Sequence, residues 1–268
     1  MRKFYILIVY LLVLEANMVS KGESLVYSFE ILIICILFSF AVYFLYALFG
    51  YALPMRASVV GTVGTNSGCT SVVLDAGHGG RDGGAVSKSG ILEKELNLSV
   101  ANVLRDILVL CGTNTVMTRT EDSLVCDESD PALKGKLKMT DLKNRLAAAE
   151  NENNSVFVSI HMNNFPIEKY SGLQVYYSPN NSASQILAQT VQDHVRENLQ
   201  PNNDRRIKPA GSNIFLLDRI SRPAILIECG FLSNPAEAKK LTDNNYQAQL
   251  GLVLADSILL NLTCMGNN

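Results

Sequence analysis

The order of apolar and polar positions divides the chain into two parts. Residues 31–53 form an uninterrupted apolar run without charge or proline, whereas from residue 71 onward apolar positions recur at the spacings of helices and strands. The segment between them, 54–70, is rich in Gly, Ser and Thr and is predicted to be a linker. We therefore expect an N-terminal region (1–53), a linker (54–70) and one folded domain (71–264).

Within the folded domain, β-branched runs alternate with amphipathic helical patterns. The pattern predicts strands at 71–74, 115–118, 155–160, 173–177, 214–217 and 224–227. It predicts helices at 93–110, from Thr140 to Ala149, from Ile186 to Leu199 and at 246–260. Strands that alternate with helices indicate an α/β domain whose sheet is covered by helices on both faces.

The apolar run at 31–53 is long enough to cross a membrane. As a helix its 23 residues reach about 34 Å, which exceeds the hydrocarbon core of a bilayer at about 30 Å. A buried core helix would be amphipathic, and this segment is apolar all round. The charges that flank it place the N-terminus in the cytoplasm and the folded domain outside. We expect a signal-anchor, and cleavage near Ala57 is the alternative.

Composition and charge exclude several classes of protein. With 48% hydrophobic and 18% charged residues the chain is not disordered. The 23 basic and 25 acidic residues give a net charge of −2, which argues against a nucleic-acid partner. The six cysteines show neither CxxC nor zinc-finger spacing, so we expect most of them to be small buried apolar residues.

Two of the three histidines follow predicted strands directly. His78 lies in LDAGHGGRDGGA after the first strand, and His161 ends VFVSIH. In an α/β sheet the carboxyl ends of neighbouring strands meet at one edge, so both imidazoles can converge on one metal ion. His194 lies within a predicted helix and is expected at the surface. The glycines around His78 do not match GxGxxG or a P-loop, which argues against a phosphate site.

A catalytic zinc site needs a third protein ligand and leaves one position open. Glu93 and Glu95 open the helix after the glycine-rich loop, and since they are two residues apart they cannot share a face. The pattern alone does not choose between them. Glu228 ends the apolar run AILIE, where a carboxylate is costly unless it has a partner or a function. A cap or an ion pair is one interpretation, and a general base in a metal-dependent hydrolase is the other.

Four stretches of the chain together resemble a known family. DAGHGGRDGGA, LEKELNLSVA, SIHMN and ILIECGFLSNP resemble, in order and spacing over about 71–261, the zinc-dependent N-acetylmuramoyl-L-alanine amidases of the third amidase family. The resemblance implies a mixed, mostly parallel sheet flanked by helices. It implies one zinc ion per chain with His78, Glu93 and His161 as its ligands, and Glu228 as the catalytic glutamate. The implied reaction cleaves the amide between N-acetylmuramic acid and L-alanine in peptidoglycan.

Further stretches, among them TRTED, DLKNRLAAAE and NIFLLDRISRPA, resemble the sporulation and germination-specific branch of that family. This resemblance implies a substrate in the spore cortex and a location between the forespore membranes. It also implies action with a peptidoglycan deacetylase on the path to muramic-δ-lactam. The helix that occludes some cell-division amidases has no counterpart in the sequence, so we expect control by a regulatory protein partner.

Two other functions would use the same residues. A zinc peptidase acting on stem peptides would differ only in the amide that is cut. An inactive wall-binding scaffold on a membrane anchor is disfavoured, because degenerate members of such families usually lose a ligand and all four residues are intact here. The zinc content of the folded domain distinguishes an enzyme from a scaffold.

Overall fold

The computed structural model describes residues 71–265, so the predicted membrane segment at 31–53 and the linker at 54–70 lie outside the described residues. The described chain forms a six-stranded sheet with helices packed on both faces, as the alternating pattern predicts. Among the helices of residues 71–265, none combines the length and the apolar character needed to cross a membrane.

The sheet is mixed. Its strands are β1 (Ser71–Ala76), β2 (Thr115–Met117), β3 (Ser155–Asn163), β4 (Gln174–Tyr177), β5 (Lys208–Pro209) and β6 (Ala224–Phe231). In space they follow the order β2-β1-β3-β6-β4-β5. The pairs β2–β1, β1–β3 and β3–β6 are parallel, β4 runs antiparallel to β6, and β5 is parallel to β4. The carboxyl ends of β1, β3 and β6 therefore meet at one edge of the sheet.

Helices cover the two faces unequally. They are α1 (Glu93–Leu110), α2 (Leu137–Asn151), α3 (Ser182–Asn198), α4 (Phe215–Arg219), α5 (Pro235–Leu241) and α6 (Asn244–Met265), with a 3₁₀ turn at Pro131–Leu133. Helices α1, α3 and α6 pack with one face of the sheet in the larger hydrophobic cluster. Helices α2 and α4 pack on the other face in a smaller cluster.

The strand sequences explain this division, because successive side chains of a strand point to opposite faces. In β1, Val72 and Leu74 belong to the larger cluster and Val73 belongs to the smaller one. In β3, Val158 joins the larger cluster and Phe157 the smaller. Strands that are apolar on both faces are typical of a sheet covered on both sides.

The structure corrects several predicted elements. The strand predicted at 214–217 is wrong, because Phe215–Arg219 is a short helix whose Leu216 and Leu217 are buried. A run of four apolar residues is too short for its period to distinguish the two structures. The helix predicted from Thr140 to Ala149 begins about one turn earlier, at Leu137. Strands β3 and β6 extend beyond their predicted ends, so His161 and Glu228 lie within strands.

Candidate metal and catalytic site

The site begins where β1 ends. Gly77 follows β1 and donates its N–H to the carbonyl of Ile160 at 3.1 Å, which places it beside His161 on β3. A Cβ atom at Gly77 would lie 2.2 Å from Nε2 of His161. Only glycine therefore allows the backbone of this turn to approach the imidazole so closely.

His78 has an unusual backbone conformation for a residue with a side chain. Its φ of 61° lies in the left-handed region, where a non-glycine residue is strained. Nη2 of Arg145 donates to the His78 carbonyl at 2.7 Å and so helps to hold the turn. The ring lies with Nδ1 3.0 Å from Oδ2 of Asp82 and Nε2 3.3 Å from Oε2 of Glu93.

Glu93 is the first residue of α1, and its carboxylate is held by backbone and side-chain donors. Oε2 accepts from the N–H of Ala85 at 2.8 Å, and Oε1 accepts from the N–H of Met162 at 3.1 Å. Oε1 also lies 3.0 Å from Nδ1 of His161. Glu95 is exposed, so the helix directs the first of the two carboxylates into the site.

The structure brings His78, Glu93 and His161 together. One potential ligand atom from each lies within 4.8 Å of the others, and the two imidazole rings meet edge to face with centroids 5.0 Å apart. His194 is not part of this group and lies on α3, 3.2 Å from Asp256. Two imidazole nitrogens and one carboxylate oxygen form a donor set that suits a catalytic zinc ion.

The electrostatics of this group favour a shared cation. Burial opposes the charged imidazole of His78, but hydrogen bonds to Asp82 and Glu93 outweigh burial and raise its pKa to about 9. Burial likewise opposes the charged form of Glu93, yet the two imidazoles hold the pKa of its carboxyl well below the usual range. The carboxylates of Asp82 and Glu93 therefore stabilise a positive charge at the position of the His78 ring.

Glu228 lies next to this group in β6. It pairs in register with His161 of β3 on one side and with Gln174 of β4 on the other. Burial raises the pKa of its carboxyl to about 7, although nearby His161 lowers it. Within residues 71–265, its Oε2 atom has no hydrogen-bond partner. A carboxyl group with a pKa near 7 and an unpaired oxygen is suited to accept and return a proton.

The neighbouring Cys229 is not part of the site. It is fully buried in the larger hydrophobic cluster, on the opposite face of β6 from Glu228. Burial also raises the pKa of its thiol, which disfavours a nucleophilic thiolate. The sequence-based expectation that most cysteines are buried holds for Cys229, whereas Cys111 is exposed and Cys126 is half-buried.

Sequence reasoning missed the side chains behind the site. Arg145 of α2 is buried, and its Nη1 donates to Asp75 at 2.6 Å and to the carbonyl of Ala76 at 2.8 Å. Its Nε donates to Asp141 at 2.8 Å. Arg119 donates to the carbonyl oxygens of Ala76, Gly77 and Lys94. The available signal was the spacing of Asp141 and Arg145, which are four residues apart in a predicted helix.

The described domain matches a known protein family. The N-acetylmuramoyl-L-alanine amidase family Amidase_3 matches residues 72–259. The germination-specific N-acetylmuramoyl-L-alanine amidase of Bacillus subtilis is 36% identical over 196 residues, which cover 73% of this chain and 81% of the relative.

Solved structures show the same fold. The CwlD amidase of Clostridioides difficile, solved in complex with the GerS lipoprotein, is 36% identical with a TM-score of 0.69, covering 73% of this chain and 99% of that one. An N-acetylmuramoyl-L-alanine amidase of Clostridium difficile 630 is 32% identical with a TM-score of 0.64, covering 74% and 98%. With the converging site residues and the match over almost the whole described domain, the chain belongs to the N-acetylmuramoyl-L-alanine amidase family and is an enzyme that acts on peptidoglycan outside the cytoplasm.

Proposed function

We propose that His78, Glu93 and His161 hold one zinc ion and that Glu228 is the catalytic proton carrier. One observation carries the proposal: three potential ligand atoms lie within 4.8 Å of one another, beside a carboxyl oxygen of Glu228 that has no partner in residues 71–265. In catalytic zinc sites three protein ligands leave one position open. The spare nitrogen of His78 faces Asp82 at 3.0 Å, as is usual for a histidine ligand oriented by a second carboxylate.

The reaction follows from the position of Glu228. Zinc, when bound, supplies Lewis-acid polarisation of a carbonyl and lowers the pKa of water. Glu228 accepts a proton from the water that attacks the lactyl carbonyl carbon of muramic acid. As the C–N bond breaks, Glu228 returns that proton to the amine of L-alanine. A pKa of about 7 suits both steps near neutral pH.

The proposed biological substrate is the peptidoglycan of the spore cortex. The 36% identity to a germination-specific amidase supports this role. Removal of the stem peptide would leave a free lactyl carboxylate, from which muramic-δ-lactam forms once a deacetylase has exposed the amine. The GerS complex of the Clostridioides difficile relative supports a protein partner for this chain as well. The apolar segment at 31–53 would anchor the enzyme to a membrane.

Product analysis tests the reaction. Purified peptidoglycan is digested with the protein, and the fragments are identified by mass. We expect free N-terminal L-alanine and intact glycan strands. New reducing sugar ends would indicate a glycosidase, and new amines on other residues would indicate a zinc peptidase; either result contradicts the proposal.

The cortex role needs a separate test in the organism. Spores that lack the protein should contain cortex without muramic-δ-lactam and should be slow to complete germination. A complementing copy with Glu228→Gln should fail to restore the lactam, whereas a copy with the exposed Glu95→Gln should restore it. Normal lactam content in the deletion strain would contradict the cortex role and leave the amidase reaction intact.

A further inference from the structure

The face of the sheet that carries the catalytic glutamate extends beyond it. Glu228 and Gln174 are opposite each other in the antiparallel pair β6–β4, so their side chains point to the same face. On its other side Glu228 is in register with His161. His161, Glu228 and Gln174 therefore form a row across three strands, from the proposed metal site towards β4.

A cation lies at the end of this row. Gln174 is 3% exposed, and its Oε1 accepts a hydrogen bond from Nη1 of Arg205 at 3.4 Å. Neighbouring strands lie about 4.8 Å apart. Arg205 therefore contacts the side chain of the β4 residue that pairs directly with the catalytic glutamate of β6.

The Arg205 side chain is fixed in place by several contacts. Its Nε donates to the carbonyl of Ser171 at 2.7 Å. Its guanidinium carbon lies 4.4 Å from the ring centroid of Phe231 and 5.6 Å from that of Tyr170. Within residues 71–265, Nη2 of Arg205 has no hydrogen-bond partner. An arginine that is already ordered, with a donor to spare, loses little conformational entropy when it binds a carboxylate.

The charged side chains around Arg205 do not oppose the binding of an anion there. Lys169 adds a second cation, with Nζ 5.8 Å from the Tyr170 ring centroid. The nearby carboxylate of Glu168 is paired with Lys88. Glu237 is occupied by the backbone N–H groups of Gly172 and Phe231. Asp204, the residue before Arg205, is exposed.

We propose that Arg205 is a specificity residue that binds a carboxylate of the stem peptide, and this proposal rests on the amidase function proposed above. In peptidoglycan the residue after L-alanine is a D-glutamate that continues the chain through its side-chain carboxyl. Its α-carboxyl is therefore free or amidated, and it lies one residue beyond the amide that is cut. A guanidinium binds a free carboxylate through two parallel hydrogen bonds, and a carboxamide cannot replace them.

The test compares two muramoyl dipeptides with the full chain. In both, the γ-carboxyl of D-glutamate is capped as a methylamide; the α-carboxyl is free in one and a carboxamide in the other. The kcat/KM of the wild type should be roughly 10- to 100-fold higher for the free acid than for the carboxamide. This ratio corresponds to the free energy that a charge-assisted hydrogen bond usually contributes. Arg205→Ala should abolish this preference by raising KM for the free-acid substrate, whereas kcat/KM for the carboxamide substrate should stay the same.

Two matched variants check the assignment. Arg205→Lys should keep part of the preference, because it retains the charge and loses the planar fork. Arg105→Ala should keep all of it, since Arg105 lies on α1 and, within residues 71–265, its side chain bonds only to its neighbour Asp106. A wild type with equal kcat/KM on the two substrates would overturn the proposal. An Arg205→Ala variant whose kcat/KM falls equally on both substrates would also overturn it and would assign Arg205 a structural role.

Binding of the product separates this proposal from the amidase function. The dissociation constant of L-alanyl-D-glutamate γ-methylamide should rise roughly 10- to 100-fold in Arg205→Ala, and that of its carboxamide analogue should not change. If the protein cleaves both substrates and binds both products equally, the amidase function stands and the specificity proposal is wrong. If it cleaves neither substrate yet shows Arg205-dependent binding of the acid, carboxylate recognition stands and the amidase function is wrong.

Discussion

At the scale of single residues, the site depends on a glycine that carries no chemistry. Gly77→Ala would place a Cβ atom 2.2 Å from Nε2 of His161, so the ring or the turn has to move. Displaced zinc ligands should weaken metal binding by about 10- to 100-fold, as happens when the support of a ligand is lost. Zinc titration of the variant protein measures the effect.

The same loop provides the control for that experiment. Among residues 71–265, a Cβ atom at Gly83 would meet only Cδ2 of Leu92, at an ordinary contact distance of 3.6 Å. Gly83→Ala should therefore bind zinc like the wild type. Equal loss of zinc in both variants would show that the loop as a whole is sensitive, and would contradict the specific role of Gly77.

The buried carboxyl of Glu228 should lower the free energy of unfolding of the protein. Its carboxyl has a pKa of about 7 in the folded protein, against an ordinary value of 4.5. Between these values the unfolded chain loses the proton first, so stability falls as the pH rises and stays low above pH 7. Glu228→Gln should thus make the metal-free protein more stable at pH 8 by up to about 3 kcal/mol.

Denaturant unfolding at pH 8 and pH 4 tests this prediction. The gain from Glu228→Gln should vanish at pH 4, where both states hold the proton. The exposed Glu95→Gln provides the comparison and should change stability little at either pH. A Glu228→Gln protein that is no more stable than the wild type at pH 8 contradicts the burial of an unpaired carboxyl.

At the scale of elements, α2 holds the end of β1 through one buried arginine. Arg145 binds Asp75 and Asp141 and also supports the carbonyl oxygens of Ala76 and His78. Arg145→Met leaves two buried carboxylates without their cation and should cost about 3–5 kcal/mol of unfolding free energy. The surface pair of the half-buried Arg105 and the exposed Asp106 offers the control, and Arg105→Met should change stability by less than about 0.5 kcal/mol.

The zinc affinity of Arg145→Met, measured under conditions where the protein remains folded, should also be lower. The physical reason is that the left-handed turn at His78, with φ of 61°, loses the donor to its carbonyl. A loss of stability with unchanged zinc affinity would show that the ion pair supports the fold and does not position the turn.

The elements also show how far the sequence could predict the molecule. Periodicity located β1, β3 and α1, because apolar β-branched runs and a long amphipathic stripe are strong signals. It misassigned 214–217 as a strand, because these four apolar residues fit either structure, and three of them lie in the helix Phe215–Arg219. The third ligand was left open between Glu93 and Glu95, since the choice depends on how α1 is turned against the sheet. Only the resemblance to the amidase family selected Glu93.

Contacts between residues far apart in the chain were harder to predict. Arg145 and Asp75 are 70 positions apart and meet only through the packing of α2 on β1. Arg205 lies in a loop without periodicity, and its link to Glu228 through Gln174 follows from the antiparallel pairing of β4 with β6. Strand order is a tertiary property, so local pattern could not reveal these contacts.

At the scale of the whole molecule, the folded domain must meet peptidoglycan outside the cytoplasmic membrane. The apolar run at 31–53 predicts that the full chain is anchored with its enzyme domain on the outer side. Protease added to right-side-out vesicles should therefore digest the domain, whereas a cytoplasmic marker enzyme stays intact. Protection of the domain in sealed vesicles would contradict this topology.

The proposed roles, Glu93 as a zinc ligand and Glu228 as the proton carrier, are tested most directly by measuring zinc content and amide hydrolysis on the same samples. Glu228→Gln should retain one zinc per chain and lose activity by about 10²–10⁴-fold, because an amide cannot accept the proton. Glu93→Gln should lose both zinc and activity, and Glu95→Gln should retain both. An empty site in Glu228→Gln, or wild-type zinc binding in Glu93→Gln, would contradict the account.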